Sequence, residues 1–285
     1  MSKLQELLTT TGESELIESE IYGTLTQAVR ENLIGTQLVA LRVGPDSIPG
    51  SSIDIDLPTK DSMYVDDTAE GAEFFKSNEA YETFNLKPIK RTVDIQISRE
   101  MVEDSKFAMV ERQIMEAGYQ MAKKMDLRLM EEIKDGADAN TTAHTTNSGT
   151  ALTIANINAT MKFIEADGYT CTDMIVSAGH AEDLRNIDTF YEADKLGSRE
   201  TFERGLVGRV AGMNVFMTNQ AALGQTTYEY ALIIDRRHAL VLAEKRPISI
   251  EKYKQENRDI VGIAVSARFE ARYLRAEACA YAYST

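Results

Sequence analysis

The sequence predicts an α+β protein, and three observations predict it. Between Phe107 and Ile133 the apolar residues Phe107, Val110, Ile114, Ala117, Met121, Met125, Leu129 and Ile133 recur every three or four positions, the spacing of one long amphipathic helix. From Asp259 to Ala282, Val261, Ile263, Val265, Ala267, Phe269, Ala271 and Tyr273 take one face while Arg268, Glu270 and Arg272 take the other, the pattern of a long strand. Between these two, a block of helix, strand, helix and further strands describes an α/β lobe.

Composition bounds the rest. A chain of 285 residues with 43% apolar side chains can bury a real core in one large domain or two ordinary ones. Its 31 basic and 45 acidic residues leave a net charge of −14, which argues against a dedicated nucleic-acid binder, because neutralising phosphates needs the opposite sign. Cys171 and Cys279 stand far apart and without metal-ligand spacing, so reduced thiols are expected rather than a disulfide framework or a zinc site. With no signal-like N-terminus and no apolar run of spanning length, a soluble protein made in the cytoplasm and away from membranes is expected.

Taken in order, residues 1–13 are polar and threonine-rich, and Ser14 to Leu33 carries Leu16, Ile17, Ile21, Leu25, Ala28, Val29 and Leu33 at helical spacing. A short strand, TQLVALRV, follows. Residues 45–82 then change character, with ten acidic residues against Lys60 and Lys76, a net charge of −8. SIDIDL (52–57) and AYETFNLKPIKRTVDIQI (80–97) alternate like half-exposed strands around an acidic tip at Asp66, Asp67 and Glu70. A two-stranded ribbon of this length cannot bury itself and needs something to lie on. The long helix is expected over about 106–135, with Asp135-Gly136 as its stop. Residues 137–150 read as a small-polar linker. The lobe begins at Thr153, with helices at 154–167 and 181–187 and strands at 173–177, 214–218, 228–235, 239–243 and 248–253. The final strand closes the chain, its apolar face suited to the long helix.

No convergent catalytic set is visible. His144, His180 and His238 lack pairing at ligand spacing, and no metal or cofactor is expected. The Ser249–Lys252 string SIEK lies in a strand, where successive side chains diverge. GLVGRVAG (205–212) leads into a strand rather than a helix, so it reads as a turn and not a phosphate cradle. Asp54 and Asp56 share a strand face that reads as solvated or interfacial.

In this order the stretches resemble the major capsid proteins of tailed bacteriophages with the Hong Kong 97-like fold. The resemblance is carried by KPIKRTVDIQISREMVEDS (87–105), MDLRLMEEIKDG (125–136), GYTCTDMIVSAGHAEDLRN (168–186), GLVGRVAGMNVFMTNQA (205–221), YALIIDRRHALVLAEKRPISIE (230–251) and DIVGIAVSARFEARYLRAEACAYAY (259–283). It implies an N-terminal arm (1–44), an extended E-loop hairpin (45–92), a P-domain with the spine helix (93–150), an A-domain (151–250), and the P-domain's return strand with the C-terminus (251–285). It further implies a non-enzymatic shell protein that assembles with itself, as pentamers and hexamers, into an icosahedral head. That head would enclose double-stranded DNA without sequence-specific binding, with scaffolding, portal or decoration proteins as further partners and the virion as location.

In such a shell the E-loop lies over a neighbouring subunit. Asp66, Asp67, Glu70 and Lys76 would then make inter-subunit contacts, with Lys87, Lys90 and Arg91, or Arg268, Arg272 and Arg275, as basic counterparts. The family's lysine–asparagine crosslink is not carried over, since no motif marks the asparagine. The alternatives are an encapsulin-type nanocompartment shell and, from another class, an oligomeric α/β enzyme.

Overall fold

The computed structural model describes residues 34–48, 50–60, 62–63, 65, 67–68, 70, 73, 76–98, 108–186, 206–218, 228–255 and 257–284. The helix expected at 14–33 lies outside them.

The spine is α1 (Ala108–Ala139), 32 residues and about 48 Å long. Its predicted stripe is the core: Ile114, Ala117, Met121, Met125, Leu129 and Ile133 are all buried. The helix does not stop at Gly136. That residue is buried, and a Cβ there would lie 3.0 Å from Tyr273 Cβ and 3.3 Å from Cys279 Sγ. Gly136 is therefore a point of close approach inside the helix. The helix ends at Asn140, whose amide donates to the carbonyls of Gly136, Ala137 and Ala276.

Against α1 lies a four-stranded sheet in the order β1-β10-β11-β4, built from β1 (Leu41–Val43), β4 (Ile89–Ser98), β10 (Leu240–Gln255) and β11 (Ile260–Tyr273). The two strands expected at 239–243 and 248–253 are one, β10. Register shifts on either side of Arg246 absorb Pro247, which cannot donate to a ladder. Residue 250, the expected edge of the lobe, lies inside this strand.

The lobe's sheet has six strands in the order β5-β12-β9-β6-β8-β7. They are β5 (Thr145–Asn147), β6 (Asp173–Val176), β7 (Leu206–Val210), β8 (Met213–Met217), β9 (Glu229–Ile234) and β12 (Cys279–Ser284), with α2 (Ile154–Ala166) and α3 (Ala178–Asn186) alongside. Thr153 caps α2 by accepting from the Asn156 amide. The glycine-rich stretch is the β7–β8 hairpin. Val210 faces Met213, so Ala211 and Gly212 form a two-residue turn, both at positive φ (49° and 87°), which matches the twist of the strands.

Two readings are corrected here. The supposed linker contributes β5, which pairs parallel with β12. The final stretch is not one strand: β11 ends at Tyr273, a 3-10 turn spans Ala276–Ala278, and β12 then enters the other sheet beside β9. The corner is fixed by contacts remote in sequence. Glu132 accepts the Tyr273 amide, the Leu274 amide donates to Ala239 O, and Cys279 packs on Gly136. Both sheets thereby share one core with the spine, which includes Leu129, Leu232, Phe269 and Cys279. Among the described residues no helix is long and apolar enough to cross a membrane.

Candidate inter-subunit surface

The third sheet is the hairpin of β2 (Ile53–Pro58) and β3 (Tyr81–Leu86), in register from Ile53↔Leu86 to Pro58↔Tyr81. Side chains alternate, so Ile53, Ile55, Phe84 and Leu86 share the face that packs on Ile48, Val241 and Ala243. The opposite face is exposed. There Asn85 Nδ2 donates to Asp54 Oδ1 at 2.5 Å and the Thr83 hydroxyl donates to Asp56, so both aspartates are engaged across the ribbon.

Pairing ends with the Thr59 amide donating to Ala80 O at 2.7 Å. Beyond it runs the connecting loop, where Asp67, Glu70, Glu73 and Lys76 are all exposed; Asp66 lies outside the described residues. Lys76 meets Glu73 at 3.5 Å, but both side chains are 85% exposed, and such a pair contributes little. Two apolar side chains of this loop stand in solvent as well, Val65 at 99% exposure and Met63 at 59%.

The hairpin is held along its length by cations that donate to backbone carbonyls. Arg275 donates to Pro58 O on β2, and Arg272 Nη1 to Asn85 O on β3 at 3.1 Å, its guanidinium 5.5 Å from the Phe84 ring. Arg268 Nε donates to Pro88 O at 2.9 Å. Lys245 reaches Ile48 O and Gly50 O, and Lys60 donates to Asp167 O in the lobe while lying over Tyr169. A cavity of about 260 Å³ lies among Leu57, Phe84, Asn140, Arg272 and Arg275, between the ribbon and the end of the spine.

A buried ion network ties this base to the spine. Glu270, its side chain 10% exposed, accepts from Arg128 Nε at 2.6 Å and from Arg91 Nη2 at 3.0 Å. Arg128 also pairs with Glu131 and Glu132, and Arg91 donates to Phe269 O with its guanidinium 4.2 Å from that ring. Burial opposes the Arg128 charge, but the hydrogen bonds and fields of Glu270, Glu132 and Glu131 outweigh it and leave its pKa raised. Burial raises the pKa of Glu132, with Arg128 and the Tyr273 amide acting against it.

The predicted basic residues thus divide. Arg91, Arg268, Arg272 and Arg275, read as an open set, are half-buried and bonded within their own subunit, whereas Lys87 and Lys90 are exposed at the hairpin base. The network itself was missed in the sequence, although Arg128 with Glu131 and Glu132 has the i,i+3 and i,i+4 spacing that could have suggested half of it.

Elsewhere the polar residues serve the fold. His180 Nε2 lies 2.8 Å from the Ser284 hydroxyl inside the lobe, and burial lowers its pKa. His238 lies 3.0 Å from Asp235, which also accepts the Arg237 amide. Among the described residues no group of three or more His, Cys, Asp or Glu is placed to hold a metal ion. Burial pushes the Cys171 thiol up to about 12 and raises that of Cys279 further still, so neither is a ready nucleophile.

A family model described as phage capsid protein matches residues 81–282, from the first residue of β3 into β12. The chain belongs to the phage capsid protein family. No curated protein sequence matches it. Solved structures do. A chain from Microbacterium phage Oxtober96 superposes with a TM-score of 0.65 at 15% identity, over 89% of this chain and 90% of that one. The capsid structure of cyanophage P-SCSP1u gives 0.66 at 12% identity, over 87% and 86%. The asymmetric unit of the bacteriophage PhiM1 mature capsid gives 0.63 at 15% identity, over 86% and 85%. At these identities the likeness establishes the fold, and it is the α+β, Hong Kong 97-like fold that the sequence resemblance implied. This capsid protein is therefore a structural protein, a major capsid protein that assembles with its own kind into the capsid of the virion. The encapsulin alternative is not favoured.

Proposed function

We propose that the capsid protein forms an icosahedral head of pentamers and hexamers around double-stranded DNA, and that the β2–β3 ribbon is the E-loop that clasps a neighbouring subunit. In this reading the four-stranded sheet and α1 are the P-domain, and the lobe is the A-domain that meets its copies around the symmetry axes. The observation that carries it is the loop beyond Thr59 and Ala80. It exposes Val65 almost completely and is acidic, while Arg268, Arg272 and Arg275 donate to backbone carbonyls of the hairpin and of Pro88. A neighbour that covers Val65 and Met63 and presents Lys87 and Lys90 to the acidic loop of Asp66, Asp67 and Glu70 would bury the apolar side chains and meet the negative charge with positive. The net charge of −14 suits a container that encloses DNA without adhering to it. Portal, scaffolding or decoration proteins would join the shell in the host cytoplasm.

The test uses the close pair Thr59 and Ala80. Residues 61–79 are replaced by a Gly-Ser turn, and the purified protein is examined by electron microscopy and circular dichroism beside the wild type. Wild-type shells, with a folded but unassembled variant, are expected. Shells formed by the variant would refute the clasp, and an unfolded variant would show that the loop belongs to the core.

A further inference from the structure

The four-stranded sheet ends on β4, and this edge differs from the others. Elsewhere the two larger sheets stop on something short or irregular, the usual protection of a soluble protein against stray pairing. β1 and β5 have three residues each, and β7 breaks register between Leu206 and Gly208. β10, which β1 covers only from Val241 to Ala243, shifts on both sides of Arg246 and carries Pro247. β4 has none of these devices. Its ten residues pair with β11 from Ile89↔Phe269 to Ser98↔Ile260 without a shift, and among the described residues no strand pairs with its outer side. A regular edge of about 33 Å therefore presents backbone donors and acceptors to an incoming strand.

The side chains of this edge are incompletely covered as well. On the spine side Val93 and Ile95 pack on the core yet stay half-buried, and Ile89 is 55% exposed. On the other side Thr92, Asp94 and Gln96 are exposed, and the Tyr253 hydroxyl donates to Asp94 at 2.7 Å and accepts from Gln96 at 3.1 Å. Because the chain assembles with its own kind, β4 of another copy is a strand always at hand. A two-fold axis normal to the sheet makes two copies of one strand antiparallel, keeps each face on its own side and sets one residue opposite itself.

The sequence of β4 selects the register. With Val93 on the axis, residues 89–97 overlap, so that Ile89 faces Ile97, Arg91 faces Ile95, Thr92 faces Asp94 and Lys90 faces Gln96 of the second copy. No like charges meet, and the exposed Ile89 gains an apolar neighbour. With Asp94 on the axis two carboxylates would oppose each other, and with Thr92 or Ile95 there the overlap shrinks to 89–95 or 92–98. We propose that β4 is a two-fold contact, pairing antiparallel with β4 of a second copy about Val93 and joining the two four-stranded sheets into one continuous sheet. The contact uses no residue of the 61–79 loop and so is independent of the clasp.

The test is a cross-link that reads the register. Lys90→Cys and Gln96→Cys change exposed positions, and the native thiols are buried. In the paired copies position 90 of one lies about 5 Å from position 96 of the other. Within one chain, or between like positions of two copies, the separation is about 20 Å. Assembled full-length protein is treated with a short bis-maleimide and analysed by denaturing electrophoresis and mass spectrometry. The double variant should give a covalent dimer through a 90–96 peptide pair, and each single variant should stay monomeric. Dimers from the single variants in equal yield would overturn the register and the proposal with it. Shells of the double variant that give no 90–96 link would overturn the contact while leaving the capsid reading intact. Labelling by a monofunctional maleimide then tells an open edge, where both positions react, from one covered by another segment, where neither does.

Discussion

Glu270 is the most informative residue to change, because it joins the return strand to both the hairpin base and the spine. Glu270→Ala leaves Arg91 without its carboxylate and removes one of the three carboxylates around Arg128, at a site where Glu270 is 10% exposed. Removing one member of a buried pair costs about 3–5 kcal/mol. The lower end applies, since Arg128 keeps Glu131 and Glu132 and Arg91 keeps Phe269 O. For a chain of 285 residues, unfolding entropy near 2.1 cal/mol/K per residue turns about 3 kcal/mol into a fall of roughly 5 °C in melting temperature. Glu270→Gln keeps the volume and one acceptor, and it relieves the repulsion between Glu270 and Glu132, so it should cost about half as much. Calorimetry and urea titration of unassembled subunits measure both, and a double-mutant cycle with Arg91→Ala should show a coupling of about 1–3 kcal/mol. A cost below about 1 kcal/mol for Glu270→Ala, or a coupling near zero, would refute the view that this network fixes the hairpin to the spine.

Three further outcomes are expected. Burial raises the Asp126 carboxyl from 3.8 to about 6 in the folded chain, against the Ile34 and Gly35 amides that lower it. A carboxyl so raised stabilises the fold when protonated, so its contribution is full below about pH 4 and is lost as pH rises through about 6. Roughly two pKa units correspond to about 3 kcal/mol, and Asp126→Asn should flatten that part of the stability profile when unfolding midpoints at pH 4.5 and 7.5 are compared. Gly136→Val forces a branched side chain against Tyr273 and Cys279 and should destabilise by about 2–3 kcal/mol in urea titrations; a neutral result would contradict the close approach. Met121→Pro breaks the spine in its buried middle at a cost of about 3 kcal/mol or more, and it should abolish shells in electron micrographs even where soluble subunits remain.

Much of this architecture is legible because helices and strands advertise their buried faces by period. The spine's stripe, the alternation of β2 and β3 and the strand pattern of β11 depend only on neighbours in sequence. The failures share a different origin. The alternation of β11 loses phase after Tyr273, where Arg275 and Glu277 fall on the formerly apolar side. What the break becomes is set by Glu132, Ala239 and Gly136, all distant in sequence, which hold the corner at Leu274 and send the chain into the other sheet. Likewise a polar face on a strand announces its charge and not what covers it. Arg268 and Arg272 lie opposite the apolar face, as read, but the hairpin's own backbone meets them there.

That arrangement has a chemical consequence which the charges alone conceal. A guanidinium bonded to a carbonyl anchors the ribbon without neutralising it, because the acceptor is a dipole and not an ion. Had the arginines taken the arm's own carboxylates, the ribbon would reach a neighbour with those carboxylates already occupied. Held by its carbonyls, it keeps its acidic side chains outside these anchoring bonds, and the nearly bare Val65 stands in the same loop. Contacts of that kind orient an encounter by charge and hold it by burial, the division of labour required of an arm that must find its neighbour before it can lie upon it.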